Sequence, residues 1–70
     1  MNFYQWDKNV MLKYGRDNPH NLRLGQLYAN ELSAHNLELF RKVPSDIDPY
    51  YFTSRLPDFL QWVSENWQDT

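Results

Sequence analysis

A 70-residue chain without a cysteine must hold together by packing alone, and 17% of this one is Phe, Tyr or Trp. That pairing constrains the fold more than any motif does. A single core of this size supplies only about 3–5 kcal/mol net, and natural mini-proteins often add disulfides or a metal. Here disulfides, thiolate zinc sites and a cysteine nucleophile are excluded together. His20 and His35 are too few to hold a metal without several carboxylates, so no metal or cofactor is expected. The stabilising surface must come from the aromatics, each able to bury about 150–250 Å², or from a partner chain. Many of them cluster in Asp48-Pro49-Tyr50-Tyr51-Phe52 and run on to Phe59, Trp62 and Trp67.

Their spacing is helical. Phe3, Trp6, Val10 and Tyr14 recur at intervals of three, four and four, with Gly15 as a stop, which predicts a helix over 3–14. Leu12 falls on the opposite side of that wheel. Turn residues then fill Gly15 to Asn21, and Asn18 or Asn21 is placed to cap a second helix over 22–35. Its apolar face is Leu24, Leu27, Tyr28 and Leu32, and Gly25 inside it points to close packing. Asn36 opens a short helical segment over 37–42, ended by Pro44, and Asp48-Pro49 has the order of a helical turn over 49–52. A third main helix follows over 56–67, with Leu56, Phe59, Leu60, Val63 and Trp67 within about 100° of one another. Nothing alternates as a strand. The expectation is one all-α domain over 1–70 with three main helices. The last stripe packs on Leu24, Leu27, Tyr28 and Leu32, and Phe3, Trp6, Val10 and Tyr14 close the third side.

The net charge of −2 is unevenly laid out. Up to Val43 six basic residues face four acids, whereas from Pro44 onward Arg55 stands alone against five acids. Folding can neutralise the halves against each other, or the acidic half can face a basic partner. No run approaches the roughly 20 apolar residues of a membrane span, and the N-terminus lacks a signal-peptide pattern. A cytoplasmic protein without membrane contact is the expectation, and the lack of cysteine fits a reducing compartment.

No phosphate-binding glycine loop or nucleophile motif is present, so no catalytic residue is assigned and an enzyme is not expected. Asp46 and Asp48 read as turn and cap residues. Arg23, Gln26 and Asn30 share one side of the second helix and read as a structural set reaching the loop around Asp46 and Asp48, with Arg23 pairing a carboxylate. Tyr50 and Tyr51 cannot both point inward from one tight turn, and Trp62 lies on the flank of its stripe. With Asp46, Asp58 and Glu65 they form the candidate partner-binding patch, since Trp and Tyr are enriched among interface hot spots. The expected function is a non-enzymatic protein-binding module. The alternative is a small nucleic-acid-associated regulator using the basic N-terminal half, with the second helix as reader, although negative net charge disfavours it. A homo-oligomer sharing the aromatics is a third reading.

Leu22-Arg23-Leu24-Gly25-Gln26 with Asn30 and Leu32, then Asp48-Pro49-Tyr50-Tyr51, then Leu56-Pro57-Asp58-Phe59-Leu60 and Trp67, carry a resemblance. The order resembles small phage and prophage-type accessory proteins with an Arg-x-Gly-Gln helix, an Asp-x-Phe-Tyr turn and a C-terminal aromatic helix. It spans about residues 22–67, leaves the first helix outside, and has Tyr50 where that pattern has phenylalanine. The resemblance implies a phage or mobile-element setting, hence a host cytoplasm, and one structural unit of Arg23, Gln26 and the Asp48 turn. It supplies no mechanism.

Overall fold

At the start of the chain, Asn2 and Gln5 bond reciprocally, the Asn2 side chain accepting from the Gln5 N–H at 2.8 Å and Gln5 accepting from the Asn2 N–H at 3.0 Å. This capping-box arrangement satisfies amides that the first turn leaves orphaned. It launches α1, Phe3–Arg16, in a computed structural model that describes residues 1–16 and 22–68. Four further elements follow: α2 (Leu24–His35), α3 (Leu37–Lys42), a 3-10 turn (Thr53–Arg55) and α4 (Leu56–Asn66). Among the described residues there is no strand, and the domain is all-α. None of these helices is long and apolar enough to cross a membrane.

One continuous cluster fills the interior: Trp6 and Val10 from α1, Leu27, Tyr28 and Leu32 from α2, Leu39 from α3, and Leu56, Phe59 and Val63 from α4. α2 is the central element, packed by α1, α3 and the 3-10 turn. The Tyr28 phenol stays inside by donating to the Asp7 carboxylate on α1. Burial first, then that hydrogen bond and the Asp7 charge, push the phenol well above its ordinary pKa. Lys13 and Glu31 form an ion pair that ties the same two helices at the rim.

Several expectations need correction. Tyr14 is 43% exposed, because the buried residues of α1 end at Val10. The last turn of α1 contributes no buried residue, so its stripe runs on past the core into solvent. α2 begins at Leu24 with Arg23 in extended conformation, and the expected caps Asn18 and Asn21 lie outside the described residues. Asn36 does cap α3, accepting from the Leu39 N–H at 3.1 Å. No helical turn forms over 49–52. The Asp48 side chain instead accepts the Tyr50 N–H at 3.0 Å, an Asx-type turn that diverts the backbone, and the helical turn is delayed to Thr53–Arg55.

α4 ends at Asn66, so Trp67 is not part of the helical stripe. Its backbone is extended, and its half-buried ring turns onto the start of α1. There it meets Phe3 edge-on at 5.8 Å and Trp6 at 5.4 Å, and its indole N–H donates to the Met1 carbonyl at 3.1 Å. His35 stacks on the same ring, 5.1 Å away and nearly parallel.

Candidate functional site

The segment from Pro44 to Phe52 passes directly over the first turn of α2, and Gly25 makes that approach possible. A Cβ at Gly25 would collide with the Pro49 carbonyl oxygen and stand 3.0 Å from the Thr53 Cα. With hydrogen there instead, Pro49 packs down until fully buried, and the Gly25 N–H reaches the Thr53 hydroxyl at 3.4 Å. The close packing that Gly25 foretold is with this loop.

Three polar side chains fasten the loop around that contact. The Arg23 guanidinium donates to the Tyr50 carbonyl at 3.0 Å, and the Gln26 amide donates to the Tyr50 hydroxyl at 3.2 Å. Arg23 and Gln26 therefore do reach the loop. However, Arg23 bonds a backbone carbonyl rather than a carboxylate, because Asp48 has turned its side chain inward to the Tyr50 N–H. Asn30, expected in the same set, is exposed, with no hydrogen bond to the loop among the described residues. From the other side Arg55 donates to the carbonyls of Ser45 and Asp48 at 3.3 and 3.4 Å, and its guanidinium lies 4.6 Å from the Phe52 ring centroid.

Arg55 escaped the reading of motifs, yet a signal existed. It is the only basic residue after Val43, in a stretch rich in acids and carbonyl-exposing turns. A guanidinium offers five donors in a fixed fork, which suits two carbonyls and an aromatic face together.

On this fastened backbone the aromatics divide. Tyr50 is half-buried and held at both its carbonyl and its hydroxyl, with Tyr51 set edge-on at 4.9 Å. Tyr51 is 74% exposed and Phe52 55% exposed. Asp46 is exposed on the same loop. The remaining members of the candidate patch lie on α4, where Asp58, Trp62 and Glu65 share one outward face at spacings of four and three. Asp58 and Glu65 are exposed, while Trp62 is half-buried against the core. The patch therefore comes from two elements, a loop knuckle and a helix face.

Among the described residues no three His, Asp or Glu side chains come together as a metal would need. What the knuckle offers is surface: two exposed aromatic side chains, Tyr51 and Phe52, consecutive in the chain on a backbone already fixed from beneath. The chain matches no known protein family, no curated protein and no solved structure.

Proposed function

We propose that this chain is a non-enzymatic protein-binding module, and that Tyr51 and Phe52 are its principal contacts. The observation that carries the reading is the pairing of two exposed aromatic side chains with a backbone held by Arg23, Asp48 and Arg55, while Gln26 holds the neighbouring Tyr50 hydroxyl. Large aromatics dominate interface energetics. A loop already fixed in its bound shape loses little freedom on docking, which leaves more of the contact energy as affinity. Asp46 on the same loop favours a partner whose apolar site has a basic rim. The resemblance to phage-type accessory proteins gives this reading a setting, a host protein modulated by occupation of its surface.

A nucleic-acid role draws less support. α2, the helix placed to read a groove, buries Gly25, Leu27, Tyr28, Ala29 and Leu32 within the domain. The test is a photo-crosslinking amino acid at position 51, irradiated in the native cell background, beside the Phe52→Ala variant carrying the same crosslinker. A discrete protein adduct that weakens with Phe52→Ala is expected. Adducts to nucleic acid alone, or a pattern indifferent to Phe52, would overturn the proposal.

A further inference from the structure

The outer face of α1 is unlike a simple solvated surface. Tyr4, Lys8, Leu12 and Arg16 stand four residues apart and form one ridge along the helix, alternating apolar and basic. Tyr4 is 78% exposed, and Leu12 and the neighbouring Met11 are also open. Beside this ridge a shallow groove of about 510 Å³ is lined by Met1, Gln5, Lys8, Asn9 and Leu12. Lys8 and Arg16 make no ion pair among the described residues; the cation of α1 that does is Lys13, with Glu31.

α4 presents the complement. It contains no basic residue, and its outward face carries Asp58 and Glu65, exposed and without an ion-pair partner among the described residues. Trp62 lies between them with part of its ring open. The spacings agree. Eight residues separate Lys8 from Arg16 and seven separate Asp58 from Glu65, about 12 Å and about 10.5 Å along a helix. In each case an apolar side chain sits between the two charges.

We infer that this chain associates with a second copy of itself, the outer ridge of α1 in one molecule resting on the outer face of α4 in the other. Leu12 packs on Trp62, and Lys8 and Arg16 meet Asp58 and Glu65. The row of α1, with residues four apart, lies against an α4 face whose residues stand four and three apart, and ridges of these two kinds pack into each other's grooves. Made reciprocally, the contact closes a two-fold dimer; made once, it continues head to tail. Two helix faces alone bury less than about 1,200 Å², the small and reversible end of the interface range. The association therefore depends on concentration. It is separate from the loop knuckle and stands or falls without it.

Sedimentation velocity over a concentration series tests this, with the 8.5 kDa monomer as the baseline. The wild type should gain mass with concentration at low salt and lose it as added salt screens the pairs. Two variants sharpen the result. Lys8→Glu with Arg16→Glu makes both faces acidic, and Asp58→Lys with Glu65→Lys makes both basic. Each alone should associate about tenfold more weakly than the wild type, while an equimolar mixture restores association because opposite faces meet again. Leu12→Arg, on an exposed position, should weaken association without loss of helical circular dichroism. A wild type that stays monomeric throughout, reversed variants that associate like the wild type, or a mixture that stays apart would each overturn the inference.

Discussion

Gly25 and Pro49 set the terms at the scale of single residues. In a free helix Gly25→Ala would gain about 1 kcal/mol of helix propensity. Here the added methyl meets the Pro49 carbonyl, backbone against backbone, with no flexible side chain to yield. Overpacking of this kind costs about 1–3 kcal/mol, so the substitution should destabilise. A thermal melt should show the midpoint falling, against the rise that propensity alone predicts. Tyr28 makes a second residue-scale case. Its phenol is held protonated in the fold by burial and by Asp7, while in the unfolded chain it ionises near pH 10. The unfolded state then binds fewer protons than the folded one, so the contribution of Tyr28 is complete below about pH 10 and shrinks as pH rises above it. The slope is at most about 1.4 kcal/mol per pH unit for one proton. Denaturant melts of Tyr28→Phe and wild type across pH 9–11 should converge as that contribution is lost; parallel curves would contradict the assignment.

At the scale of elements, the helices were legible in the sequence where a repeated stripe met a repeated partner. Phe59 and Val63 of α4, and Leu27, Tyr28 and Leu32 of α2, are buried as their spacing requires. Periodicity fixes which residues share a face, but it does not say how much of that face is covered, and Tyr14 is left exposed. Nor could it place the loop. Whether Asp48 caps a helix or closes an Asx turn depends on Gly25, 23 positions earlier, accepting Pro49 against its backbone. Arg55 was hidden for a related reason, since its partners are carbonyls, which every residue has. α3 carries a prediction at this scale. It has six residues, and only Leu39 among them is buried. Loss of the Asn36 cap should therefore matter more than in a long helix. Asn36→Ala should cost about 1 kcal/mol, a fall in Tm of about 4–8 °C for a domain this size.

For the whole molecule, the core is one cluster and its failure is collective. Phe59 is fully buried where α1, α2, α3 and α4 all contribute to the same cluster. Phe59→Ala should cost about 3–5 kcal/mol, comparable to the entire net stability of a single small core. Loss of cooperative thermal unfolding in that variant is the expected outcome, and a melt like that of the wild type would contradict the packing.

The contact of Trp67 with Trp6, 5.4 Å between ring centres and tilted by 39°, makes the fold optically legible as well. Two indoles at that range share their electronic excitation, so their transitions couple and generate circular dichroism that neither ring has alone. Trp62 is the other indole of the chain, and Trp67→Phe removes the coupled pair while leaving it in place. The difference spectrum between wild type and Trp67→Phe then becomes a readout of one event, the seating of residue 67 on the first turn of α1. Followed during refolding, it times the moment when the two sequence-distant segments of the chain meet.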